Sequence, residues 1–364
     1  MKNILAIIFC ISLFSMVACD VHEFPQETNV QVPFLLHLDF TTELPLYKEI
    51  IHTRVDNSET KGFISNHNIR YTIKVYRNDL ARNNSREADT TFVFTKSDVS
   101  DLNFTAPLQL PEGSYDFQIW ADYVDVNSNA DKYYDTSDFA EIILSDKLNH
   151  PGSNDCREAF RGYASATVLN PAYYTGDMVS SIDNEARAEM KRPMGKFKFV
   201  STDVDVFLAR MVQMMKEKGM LKDFEYDPDN SASSESVSKS IALSDFTVLF
   251  RYKLFMPCSF NMFTDKPAYA WKGMSFKSKM FTDDYKEMTL GFDYIFVNGS
   301  ETTLSISVEV YSADGELMSS TNPIDVPIVR NKLTIVKGDF LTSKASEGIT
   351  ISPEFDGEHN IEIK

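Results

Sequence analysis

What this sequence lacks narrows its chemistry first. It contains no GxSxG, HExxH, Walker or dinucleotide-binding motif, so no nucleophile, zinc or phosphate signature argues for an enzyme. Histidine is sparse, with 6 residues widely dispersed. His37, His52 and His67 recur at equal intervals, but that spacing has no metal-ligand geometry behind it, and surface imidazoles are expected. Positive charge is in deficit: 36 Lys and Arg against 53 Asp and Glu give a net charge of -17. That balance argues against nucleic acid or anionic lipid as the direct partner and leaves protein partners open. Carboxylate pairs will arise by chance at this abundance, so they do not point to glycoside hydrolysis. There is no length-locked tandem repeat. Tryptophan occurs twice, beside 27 Phe and 16 Tyr, an aromatic load that favours strands with well-filled faces.

Only one long apolar run exists, at the start. Lys2 precedes Ile4 to Ala18, a stretch interrupted only by Cys10, Ser12 and Ser15. About fifteen apolar residues are short for a membrane span, and Asp20 follows with no basic stop-transfer cluster. Met16-Val17-Ala18-Cys19 closes the run as a bacterial lipoprotein signal closes: small residues, then the cysteine whose thiol carries diacylglycerol and whose amine is acylated. The expectation is a signal over residues 1–18, lipidation at Cys19 and a polar tether over 19–30. The competing reading is an ordinary secretory signal with an incidental cysteine. Three acyl chains exceed the two signals that durable anchoring needs. Cys10 leaves with the signal, so Cys156 and Cys258 remain for the folded body. In an oxidising compartment they pair, or they are buried separately; the sequence leaves both open.

The rest reads as mostly β. Val32 to Phe40 alternates with Val32, Phe34, Leu36, Leu38 and Phe40, and Ile69 to Tyr76 alternates cleanly. Short strands follow at Thr91–Thr95, Phe104–Leu110 and Tyr115–Val124, the last after a Pro111-Glu112-Gly113 turn. Further strands are expected at Ile142–Leu144 and Phe160–Val168. Strands without intervening helices indicate sandwiches rather than α/β layers. The composition shifts near Glu185 to Pro193, Arg192-Pro193-Met194-Gly195 interrupts the pattern and Lys196 restarts it, which divides the chain into an N-terminal β-sandwich over 31–190 and a C-terminal one over 191–364. One amphipathic helix is expected, with Val204, Phe207, Leu208, Met211, Val212 and Met215 on one face and Gly219 as its stop. A Met-rich stripe suits a partner groove, but a packing face is the plainer expectation. Asp227 to Lys239 is a serine-rich surface loop. In the second half, strands are expected from Phe246 through Val326–Leu333, with a hairpin turn at Ala313-Asp314-Gly315-Glu316.

Two binding readings can be set against a purely structural one. Asp125, Asp131, Asp135 and Asp138, with Asn127 and Asn129, are oxygen ligands of the kind a calcium loop uses, but the EF-hand Gly and terminal Glu are missing, so a solvated loop is expected. A glycan site needs an exposed aromatic platform; Tyr133-Tyr134 beside Asp131 and Asp135 is the best candidate, with Trp120, Tyr123 and Trp271 also available. No cofactor is implied.

Taken in order, the signal with Cys19-Asp20-Val21-His22-Glu23-Phe24-Pro25, then Pro111-Glu112-Gly113-Ser114-Tyr115, Trp120-Ala121-Asp122-Tyr123-Val124, Arg192-Pro193 with the Lys196–Val200 strand, and Arg330-Asn331-Lys332-Leu333-Thr334, resembles the FimB/Mfa2-like fimbrial lipoproteins of Bacteroidales. The resemblance runs over nearly all the mature chain. It implies two transthyretin-like Greek-key β-sandwich domains after the lipid anchor, no catalytic residues, and residence on the cell outer membrane through Cys19. The role it implies is fimbrium anchor or assembly subunit, with fimbrial subunits as partners. Related pilins polymerise by strand donation after a protease cuts beyond an arginine and releases the first strand; Arg54 lies in that position here. The rival readings are a processed polymerising pilin and a surface glycan-binding lipoprotein.

Overall fold

The computed structural model describes residues 30–40, 67–78, 87–219, 225–230, 243–282 and 286–342, scattered positions between 233 and 241, and the backbone of 351–356 and 358–363. The signal, Cys19, His52 and Arg54 lie outside the described residues. The architecture is mostly β, built as sandwiches.

In the first half the main strands are β1 (Val32–Phe40), β2 (His67–Arg77), β3 (Thr90–Lys96), β4 (Phe104–Leu110), β5 (Gly113–Asp125), β6 (Ala159–Val168) and β7 (Glu185–Met190). They form two sheets, ordered β4-β1-β7 and β3-β2-β5-β6. Period-two patterning decides which faces meet. Phe34, Leu36 and Leu38 of β1 pack in one core with Ile69, Tyr71 and Ile73 of β2 and with Phe117 and Ile119 of β5. Phe34 stacks on Phe117 with ring centroids 5.3 Å apart.

The second half repeats this sheet order, with an added helix and one added strand. Its elements are β8 (Met194–Ser201), α1 (Val204–Glu217), β9 (Thr247–Tyr252), β10 (Ser275–Ser278), β11 (Met288–Phe296), β12 (Glu301–Tyr311), β13 (Leu317–Ser320), β14 (Ile324–Val329) and β15 (Leu333–Gly338). One sheet contains β11-β8-β15 in that order, and the other runs β10-β9-β12-β13, with β14 also on β12. In each half the entering strand has an antiparallel neighbour on one side and a parallel one, from late in that half, on the other. Both sheet orders are those of a transthyretin-like sandwich. A final hairpin, β16 (Ile351–Asp356) and β17 (Glu358–Ile363), extends the second half, with β17 parallel to β15.

The methionine stripe is a packing face. Val204, Phe207, Leu208 and Val212 of α1 are buried, Met211 packs against the same core, and Phe207 meets Phe246 edge-on at 5.6 Å. The turn after β12 closes through the Ser312 N–H to the Glu316 carbonyl and the Gly315 N–H to Ser312, and Gly315 has φ 82°, a conformation that costs glycine nothing.

Two features depart from the strand pattern expected. Glu185–Met190, where only a composition shift was expected, is β7. Its Glu-Ala-Arg-Ala-Glu-Met sequence has no β-branched residue, so the parallel ladder from β1 supplies what propensity does not. The stretch 134–144 lies within the first half in sequence, between β5 and β6, but packs with the second: Tyr134, Phe139, Ile142 and Leu144 belong to the C-terminal core, and Ile142–Leu144 pairs with Ser259–Asn261.

Candidate functional site

Strand β1 is the first described element after the expected tether, and it is paired on both edges. Val32 to Leu38 runs antiparallel against Leu110 to Phe104 of β4, while Leu35 to Phe40 runs parallel with Glu185 to Met190 of β7. Val32, Phe34, Leu36 and Leu38 are buried, each worth roughly 1.5–3 kcal/mol of transfer free energy. The outer face is pinned by polar contacts. His37 bridges both neighbours, Nδ1 to Thr105 Oγ1 at 3.0 Å and Nε2 to Glu185 Oε2 at 3.2 Å, and Asp39 pairs with Arg187 at 3.2 Å. Such a strand seals a groove: without it, β4 and β7 would face each other with unpaired backbone and the apolar side chains of Ala106, Leu108 and Phe117 uncovered.

A second cluster ties the 145–158 stretch to the C-terminal sheet. Asp293, in the middle of β11, accepts from Arg157, His150 and Tyr252; the His150 contact is 2.6 Å. All four side chains are buried. Next to them Lys196 reaches Asp155 at 2.8 Å, and Arg192 pairs with Glu158. Burial opposes the Asp293 carboxylate, but the charges of Arg157 and His150, with hydrogen bonds from His150 and Tyr252, outweigh it and hold its pKa at about 2. Burial, reinforced by Arg157, pushes His150 below its ordinary value despite Asp293. Burial with Asp293 raises Tyr252 well above the phenol range. Solvent has no access to these groups, so the arrangement is a clamp and not a reaction centre. Sequence reasoning missed it; the available signal was an acid inside the apolar Thr289–Val297 run.

The carboxylates weighed as calcium ligands have separate tasks. Asp125 pairs with Lys132, Asp131 accepts from Arg70 at 2.7 Å and from Thr136, and Asp135 and Asp138 cap the backbone of Ser137 and Ala140. Among the described residues no three His, Cys, Asp or Glu side chains converge as a metal site. Arg70 is meanwhile held bidentately by Asp122 at 2.9 and 2.7 Å. Burial opposes the guanidinium, and Asp122 with Asp131 outweighs it, so its pKa is raised.

The aromatic platform is likewise absent at Tyr133-Tyr134. Tyr134 is fully buried with its hydroxyl on the Arg157 carbonyl, Trp120 and Tyr123 are buried, and His67 lies 3.2 Å from the half-buried Tyr133 hydroxyl. Trp271 is half-buried, with Lys147 Nζ 5.7 Å from its ring centroid. No disulfide joins Cys156 to Cys258: both are buried, Cys156 in the N-terminal core and Cys258 in the C-terminal one. Burial pushes the Cys258 thiol up to about 11.

Residues 27–364 match the model of a family of unknown function, DUF6562. No curated protein matches the sequence. Among solved structures the chain is similar to the fimbrial anchor protein Mfa2 from Porphyromonas gingivalis, at 10% identity over 80% of this chain and 82% of that one, with a TM-score of 0.36. It is similar to a fimbrial assembly protein from Parabacteroides distasonis at 11% identity, covering 88% and 95% of the two chains, TM-score 0.36. A candidate cell-adhesion protein from Bacteroides uniformis is similar at 12% identity over 93% and 98%, TM-score 0.39.

Proposed function

Since the chain belongs to the DUF6562 family, whose function is unknown, we propose a role from its own residues: a non-catalytic, lipid-tethered outer-membrane protein that anchors or helps assemble a fimbrium through protein–protein contacts. In this reading the chain divides into a signal over 1–18, a tether over 19–30 and two sandwich domains meeting near residue 190. Cys19 carries the lipid.

The observation that carries the proposal is the seating of β1. It joins the tether directly to the centre of a sheet, so a pull on the lipid is borne by two backbone ladders and four buried side chains rather than by a loose end. The same geometry supports a second reading, a processed pilin: cleavage after Arg54 would free β1 and open the groove between β4 and β7 to a neighbour's strand. Anchoring requires that this strand stay.

Affinity capture of C-terminally tagged full-length protein from gently solubilised outer membranes tests the role. Recovery of pilin-like subunits is expected. Recovery of intact protein with no such subunits from cells expressing fimbriae would sink it.

A further inference from the structure

The chain is acidic overall, yet the sign reverses locally. Residues 251–280 hold six basic residues, Arg251, Lys253, Lys266, Lys272, Lys277 and Lys279, and a single acid, Asp265, in a chain with 36 basic against 53 acidic residues. This stretch folds as one long antiparallel arm. β9 pairs with β10, the Tyr252 N–H donates to Met274, and the ladder continues through Phe255↔Lys272, Met256↔Trp271 and Pro257↔Ala270 to Asn261↔Lys266.

The arm also exposes large apolar groups beside its lysines. Leu254 is 63% exposed, Phe255 62% and Tyr269 59%, and Leu148, next to the Lys147 that covers Trp271, is 91% exposed. Lys253, Lys266, Lys272 and Lys277 are exposed and make no ion pair with the described residues. Two neighbouring carboxylates are engaged elsewhere: Asp265 holds Arg330 and Arg161, and Asp146 caps the backbone of Leu148 and Asn149; Glu309 holds the arm's own Arg251. Among the described residues, four lysines of the arm thus have no carboxylate paired with them.

We propose that this arm is a membrane-docking surface, with Leu254, Phe255 and Tyr269 entering the interface of a lipid layer whose phosphate headgroups meet Lys253, Lys266 and Lys272. Aromatic side chains flanked by lysines suit that boundary, because the rings take the apolar side while the ammonium groups stay with the phosphates. A protein surface that needed only solubility would have no use for exposed large apolar groups beside exposed lysines. The inference rests on the tethered reading above. From Cys19 to Val32 the chain spans at most about 45 Å, which keeps the body close enough to the membrane for a second, weak contact to matter.

The test uses residues 19–364 with Cys19→Ser, expressed without the signal, so that lipid attachment plays no part. Sedimentation is measured with vesicles of phosphatidylcholine alone and with equimolar phosphatidylglycerol. Expected is retention on the anionic vesicles that falls as salt rises. The double substitution Lys253→Gln, Lys272→Gln should weaken it on the order of thirtyfold, at roughly 1 kcal/mol per lysine. Leu254→Ser with Phe255→Ser should also reduce it, with an unchanged melting curve because both side chains are exposed. Equal retention on neutral vesicles, or retention indifferent to both variants, overturns the proposal. So does capture by immobilised poly-aspartate without vesicle binding, which would make the arm a site for an acidic protein. Failure here leaves the Cys19 tether standing, since that is read separately from the mass of the mature N-terminus.

Discussion

At the scale of single residues, the clamp around Asp293 is where chemistry and stability are most tightly linked. Removing one partner leaves a buried charge uncompensated, which costs about 3–5 kcal/mol in such pairs. Arg157→Met should therefore lower the denaturation midpoint sharply, while the exposed Lys253→Gln should shift it by no more than about 0.5 kcal/mol. The pH dependence follows from the directions of the shifts. His150 takes up a proton less readily folded than unfolded, so its contribution is complete above its ordinary value of 6.5 and is lost as the pH falls below it. Asp293 keeps its proton off down to about 2, so its contribution is present above about pH 4 and disappears between there and pH 2. Chemical denaturation across acid pH should show stability falling in those two stages; a flat profile would contradict the clamp. The cysteines give a simpler check. Quantitative alkylation under denaturing, non-reducing conditions should label both Cys156 and Cys258, whereas a bridged protein would label neither.

Among the elements, β1 carries the argument. Phe34→Ala removes a ring stacked on Phe117 in the core and should cost about 3–5 kcal/mol, measured by urea unfolding. Leu35→Ala, on the 42% exposed side, should cost a small fraction of that. The contrast tests whether the strand is inserted in the register Val32↔Leu110, because a one-residue slip would exchange the two results. How much of this was legible in the sequence depended on burial. β1 and β2 announced themselves because a half-buried strand writes its faces as alternation, and α1 did so through its three- and four-residue spacing. β7 left no such mark, since two alanines and a methionine form a sheet edge only when β1 is beside them. The clamp was equally silent: His150 and Arg157 reach Asp293 from sequence separations of 143 and 136 residues, and no local pattern reports a contact of that range. The acidic loop was legible as solvated, and its carboxylates are indeed spent on caps and ion pairs.

For the whole molecule, the informative fact is repetition without sequence repeat. Both halves order their strands in the same way, and each begins with a strand lodged between an antiparallel and a parallel neighbour. The two cores share a boundary that the 133–158 stretch crosses, and the buried ion pairs of Asp293, Asp155 and Glu158 lie along it. A tethered protein under load gains from such a junction, since the halves cannot separate without exposing paired charges. The central claim is that β1 remains joined to a lipid at Cys19. Mass spectrometry of the mature N-terminus, on protein extracted from outer membranes, tests it most directly. An N-terminal peptide beginning at acylated Cys19 is the predicted result; a chain beginning at Val55 would contradict it and make the protein a processed, polymerising subunit.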